Sequence, residues 1–204
     1  MDNTLFLKII GDARALNTKL DYTRSKEVLI SLLEKELTNQ QTIEVCKVLC
    51  LVERKMGNYD AAYKAIEKAT NIARNDIEEI GTNNVDSYAA AIETYAICLM
   101  NQGVIFDQQC IYSMAIPIYR KANDLFRQLY FRKPENPGVL INSLYTLGMA
   151  LFNDGKMSSA KEIFEESLLL LGKNFDGDRE QDERYGTIIS ILRLINNSLS
   201  DAER

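Results

Sequence analysis

Apolar side chains return every three or four positions along nearly the whole chain, and no segment alternates with period two for long enough to make a strand. A chain with that pattern must bury one stripe of each of many helices. Only 3 prolines and 10 glycines in 204 residues interrupt it, so the helices can run long. The periodicity predicts nine helices, over roughly 3–16, 23–37, 41–56, 59–79, 85–103, 110–131, 137–154, 157–171 and 179–198. Several ends have a mechanism. Asn58 is placed to cap the fourth helix, with Asp60 in its first turn. Pro134 helps to stop the sixth, and Asn136 caps the seventh with Pro137 at its first position. Asp178 with Gln181 makes a capping box for the last. The class is all-α.

These helices repeat. Leu144, Leu147, Gly148 and Leu151 form a stripe on one helix; a tight turn at 153–156 follows, and then Met157, Ala160, Phe164 and Ser167. Cys46, Leu49 and Cys50, then Gly57, Tyr59, Ala62, Ile66 and Ala69, match in spacing and size. A third copy gives Ile92, Tyr95, Ala96 and Leu99, with Gly103 as its turn glycine, then Tyr112, Ala115, Tyr119 and Ala122. Small residues let two helices approach, and large ones four positions on fill the hollow beside them.

This pattern resembles the tetratricopeptide repeat (TPR), a helix–turn–helix unit of about 34 residues. Cys46, Ile92 and Leu144 stand 46 and 52 residues apart, so the units are stretched and are similar to those of kinesin-light-chain-type arrays. The resemblance implies a right-handed superhelix of antiparallel helix pairs, a TPR-like α-solenoid of about nine helices. Residues 1–204 then form a single domain. Within it, 1–39 is a degenerate N-terminal helix pair, 40–80, 85–131 and 137–172 are repeats, and 179–199 is a C-terminal capping helix. That last helix is more apolar than a cap requires, which raises homodimer formation through residues 185–195.

Composition removes whole classes of chemistry. There is no histidine, so neither a Ser–His–Asp triad, a Cys–His pair nor a His-containing metal site can be built from this chain alone. Cys46 and Cys50 lie four apart on one helix face, but in the repeat they fall on packing positions where cysteine acts as a small hydrophobe. No metal or cofactor is expected. Neighbouring glutamates, Glu34 and Glu36, Glu78 and Glu79, or Glu165 and Glu166, read as exposed faces rather than carboxylates opposed across a cleft. No glycine-rich phosphate loop occurs, and the reading is of a protein that is not an enzyme.

The net charge of −5 argues against nucleic acid as a partner. Arg120, Lys121, Arg127, Arg132 and Lys133 form a locally basic stretch, which Asp124 interrupts and Glu135 follows; it reads as a solvated face. No run of 18 apolar residues suggests a membrane span. The N-terminus lacks the basic-then-apolar order of a secretory signal, and four cysteines within helices suit reduced thiols, so a cytoplasmic location is expected.

The resemblance also places a binding site. In such arrays the first helix of each pair lines a concave groove, and its residues not used in packing face inward. Here these are Lys47, Leu51 and Arg54, then Glu93, Thr94, Ile97 and Asn101, then Asn142, Tyr145, Met149 and Asn153. Apolar anchors, amides able to bond an extended backbone, and cations together suit a protein or peptide partner. The clamp with which some family members hold a chaperone's C-terminal carboxylate is not matched. Lys47 stands at one of its cation positions, but Leu51 and Thr94 replace its asparagines and Ala90 replaces a further polar group. The expected function is an adaptor or scaffold. The alternatives are a homo-oligomeric assembly module or the peptide-sensing domain of a bacterial regulator.

Overall fold

The computed structural model describes residues 1–81, 84–132, 134, 137–174 and 183–202. Among them are nine α-helices: α1 (Asn3–Thr18), α2 (Tyr22–Leu33), α3 (Asn39–Lys55), α4 (Tyr59–Ile80), α5 (Val85–Gln108), α6 (Tyr112–Arg132), α7 (Gly138–Asn153), α8 (Met157–Asn174) and α9 (Glu183–Ala202). The chain divides into two compact units, Met1–Ile105 and Phe106–Arg204. In unit 1, α1 packs on α2, α2 on α3 and α3 on α4; in unit 2, α6 packs on α7, α7 on α8 and α8 on α9. This is the all-α, sequentially paired architecture that the periodicity predicts.

What makes the pairs alike is a turn used four times. Leu20, Gly57, Cys110 and Gly155 all adopt the left-handed backbone, with φ of 62°, 79°, 59° and 76°. Each donates its N–H to the carbonyl three residues back, on Asn17, Arg54, Asp107 and Phe152, and the following residue donates to the carbonyl five back, on Leu16, Glu53, Phe106 and Leu151. These two bonds are the Schellman arrangement, which satisfies carbonyls orphaned at a helix end. Glycine adopts this conformation without a steric penalty, whereas leucine and cysteine do not.

Counting from that turn aligns the copies. Seven positions before it stand Ala13, Cys50, Gly103 and Gly148; five after it stand Ser25, Ala62, Ala115 and Ala160; nine after it stand Leu29, Ile66, Tyr119 and Phe164, and all twelve are buried. Phe164 presses on Gly148 so closely that a Cβ there would lie 2.6 Å from a ring carbon. The expectation that Gly103 is a turn glycine is therefore corrected. It is a buried residue inside α5, which runs on to Gln108, and Cys110 makes the turn. The error has a simple cause. Leu99, not Ile92, is the equivalent of Cys46 and Leu144, and a shift of seven residues returns to nearly the same helix face.

Other ends follow the sequence less evenly. Asn58 sits at the N-cap of α4 but makes no side-chain cap bond, because its amide donates to the Glu53 carboxylate at 2.8 Å. Glu53 is buried and also pairs with Lys26 at 2.7 Å. Thr38 and Gln41 form a full capping box on α3, and Asp2 accepts from Thr4 and Leu5 at the start of α1. Asn136, Asp178 and Gln181 lie outside the described residues. In unit 2 the buried polar device is neutral: Asn123 of α6 donates to the Tyr119 and Ser143 carbonyls, and the Ser143 hydroxyl bonds the Asn123 amide oxygen at 3.1 Å. By length and composition α5 is apolar enough to cross a membrane, but half of that stretch is buried in this fold, where it is a core helix.

Candidate functional site

The first helices α3, α5 and α7 each turn one face to packing and leave another reachable by solvent. On that second face Leu51, Glu93, Asn142 and Asn153 are exposed, while Lys47, Arg54, Thr94, Ile97, Asn101, Tyr145 and Met149 are half-buried. Lys47, Leu51, Arg54, Glu93, Thr94, Ile97 and Asn101 belong to unit 1, and Asn142, Tyr145, Met149 and Asn153 to unit 2.

In unit 1 the face is ionic. Lys47 Nζ lies 2.9 Å from Glu44 Oε2, one helical turn away, and the guanidinium of Arg14 on α1 bonds the other carboxylate oxygen, Oε1. Arg54 reaches the Cys50 thiol on its own helix. On α5, Thr94 bonds the Ala90 carbonyl and Asn101 the Ile97 carbonyl, each at 2.9 Å, so both polar groups are turned onto their own helix. Behind the face lies a thiol cluster. Cys98 of α5 sits within the fields of Lys47, Glu44, Cys46 and Cys50 on α3. Burial pushes the Cys98 thiol up to about 12 and that of Cys50 up to about 11, and raises Cys46 as well. All three are protonated near neutral pH and act as packing groups. Among the described residues, no group of three or more metal-ligating side chains is placed to hold an ion.

In unit 2 the face carries no charge of its own, since α7 has no ionisable acid or base from Gly138 to Asn153 apart from the phenol of Tyr145. Tyr145 is propped by Phe164, ring centroids 6.3 Å apart and planes tilted by 58°. Asn142 Oδ1 accepts from Arg184 Nη1 of α9 at 2.9 Å, which leaves the Asn142 amide N–H groups to point elsewhere. The apolar stripe of α9 is used inside the unit: Ile188, Ile191, Leu192 and Ile195 are buried, and Leu194 is the large apolar residue of the stripe left 57% exposed.

Sequence reasoning missed Arg14, Glu44 and Arg184. Arg14 had a signal, because it occupies the position six before the turn that Leu51 and Met149 occupy in their copies. Glu44 stands three residues from Lys47, the spacing of an intrahelical ion pair. The basic stretch on α6 is partly neutralised. Arg127 grips Glu166 with two bonds of 2.8 and 2.7 Å and also bonds Asp124, and these partners raise its pKa, the bond to Glu166 foremost. Lys133 and Glu135 lie outside the described residues.

With this geometry in view, comparison with known proteins is decisive for the repeat. Residues 51–76, at the α3–α4 turn, and 141–170, spanning α7 and α8, each match the tetratricopeptide repeat family. The chain carries tetratricopeptide repeats. Solved structures agree in fold. BtubC (BKLC) from P. vanneervenii is similar at 14% identity, with a TM-score of 0.65 over 92% of this chain and 78% of that one. A kinesin-light-chain-like protein of Podosopora anserina with nearly identical TPR-like repeats is similar at 11% identity, with a TM-score of 0.66 over 98% and 99%. At these identities the likeness is one of fold. No curated protein matches the sequence. Tetratricopeptide domains are in general protein-interaction modules.

Proposed function

We propose that this protein is an adaptor or scaffold whose first-helix faces receive a peptide or a partner's helix, and that it binds without catalysing. The observation that carries this reading is α7. Tyr145 and Met149 offer half-buried apolar surface, Asn142 and Asn153 offer exposed amides, and no charge on the helix competes with them. Apolar anchors supply affinity while amides satisfy the polar backbone of an extended segment. The three protonated core thiols suit a reducing compartment such as the cytoplasm.

The test is selection of binders from a displayed random peptide library, followed by replacement of Asn142, Tyr145 and Met149 with alanine. Binding of the selected peptides is expected to fall by about tenfold or more, the equivalent of about 1.4 kcal/mol, with circular dichroism and melting unchanged. Undiminished binding by a folded variant rejects the α7 face, and a library that yields no binder at all rejects the reading.

A further inference from the structure

On the unit 1 face one carboxylate holds two cations. Glu44 Oε2 takes Lys47 at 2.9 Å and Oε1 takes Arg14, so both oxygens are committed. The three side chains come from two successive first helices, α1 and α3, and the Cys98 thiol of the next, α5, lies within the fields of Lys47 and Glu44. Glu44 and Lys47 are only 20% and 26% exposed, so water screens their pair less than one held out in solvent.

We propose that Glu44 determines the charge of the segment this face accepts: it fills, from within the chain, the place a partner's carboxylate would take, and so excludes acidic segments in favour of uncharged or basic ones. This inference rests on the first-helix faces being the binding surface. Its physics is competition. A carboxylate three residues from Lys47 on the same helix is present at an effective concentration no free peptide reaches. An incoming carboxylate would also have to break two charge-assisted bonds and then lie beside the carboxylate it displaced, a repulsive arrangement of the kind that gives interfaces their specificity. Lys47 thus occupies a cation position of the carboxylate clamp while being already neutralised. The geometry supplies a second reason, beyond the missing asparagines, for that clamp not to operate.

The experiment uses the full chain and a fluorescein-labelled hexaglutamate peptide, followed by anisotropy at low salt. The wild type is expected to bind it weakly, and Glu44→Gln at least about tenfold more tightly, because two cations lose their internal partner. Adding Lys47→Met to Glu44→Gln should reduce the gain, and adding Arg14→Met as well should abolish it. Glu162→Gln, which removes the same charge from an exposed site on unit 2, should produce none. The proposal is overturned if the wild type binds hexaglutamate as tightly as Glu44→Gln, if the gain survives loss of both Lys47 and Arg14, or if Glu162→Gln reproduces it. Glu44→Ala serves as a second variant should the glutamine form melt early. The probe is independent of the library peptides, so failure here is separable from failure of the α7 face.

Discussion

Units 1 and 2 repeat one helical motif and yet solve the same two problems with opposite chemistry. Unit 1 uses charge in both places. Its inner polar device is the Lys26–Glu53 pair with Asn58, and its first-helix face is organised around Arg14, Glu44 and Lys47. Unit 2 uses neutral hydrogen bonds inside, between Asn123 and Ser143, and presents an α7 face of amides, an aromatic ring and a thioether. The repeat constrains small and large packing positions and the turn, and it leaves the polar positions open. Two copies can therefore share an architecture and differ in what they recognise.

Substitutions in the two cores should disturb the units most. Phe164 is one of the fully buried large residues of unit 2, and Phe164→Ala is expected to cost about 3–5 kcal/mol in denaturant unfolding. Ile66→Ala, its equivalent in unit 1, should cost less, toward the low end of about 2–5 kcal/mol, because a smaller side chain is lost. Equal losses would show that ring-on-glycine packing adds nothing to unit 2.

The polar devices come next. Asn123→Ala removes the buried amide shared by the Ser143 hydroxyl and carbonyl; because that hydroxyl keeps the Leu140 carbonyl at 2.9 Å, the change should cost about 1 kcal/mol, at any salt concentration. Glu53→Gln should cost about 1–2 kcal/mol, discounted because Lys26 is partly exposed, and its cost should shrink as salt rises. Melting at low and high salt checks both. If the salt responses were the same, the distinction between the ionic Glu53 device and the neutral Asn123 device would fall.

Alkaline pH sharpens the comparison differently. Cys46, Cys50 and Cys98 all lie in unit 1, and burial raises each above the ordinary thiol value of 9.0. The stability tied to keeping these thiols neutral is complete below that value. It is lost progressively as the pH climbs from there through about 11 for Cys50 and about 12 for Cys98. Replacing all three with alanine should flatten the alkaline part of the melting curve, and an unchanged slope would refute the assignment. At neutral pH, a thiol reagent should label exposed Cys110 and leave the other three untouched until the protein unfolds.

The smallest effects belong to the four turns. Leu20→Gly and Cys110→Gly relieve left-handed strain and should each stabilise by roughly 0.5–1 kcal/mol, whereas Gly57→Ala and Gly155→Ala should destabilise by about 1 kcal/mol. Thermal melts resolve the sign. A loss at Leu20 or Cys110 would mean that the side chain contributes more than the backbone conformation costs.

Much of this fold is legible in the sequence because its determinants are local and periodic. Ala62, Ile66 and Ala69 or Ala160, Phe164 and Ser167 announce a packed stripe without any tertiary knowledge, and Gly57 and Gly155 announce their turns. Leu20 and Cys110 do not, since nothing in either side chain signals a left-handed backbone; two hydrogen bonds to the preceding turn impose it. The length of α5 was likewise hidden, because its buried stripe runs unbroken from Ala91 past Gly103 to Ile105. On the candidate faces, periodicity identified which residues point away from packing. It could not say that Lys47 is neutralised or that Arg184 reaches Asn142. Those pairings depend on which helices lie side by side, and each joins residues that the face-counting argument treats as independent or omits.

The unbroken stripe of α5 has an evolutionary corollary. A segment of seven residues added to such a rod returns the downstream chain to almost the same rotational setting, displaced along the axis by about 10 Å. Growth or trimming in that quantum would keep the later apolar stripe on nearly the same side of the helix, so ancestral units could drift in length without turning that stripe to solvent. Mutants that insert or delete seven residues in the middle of α5 should stay folded where mutants of four or five do not.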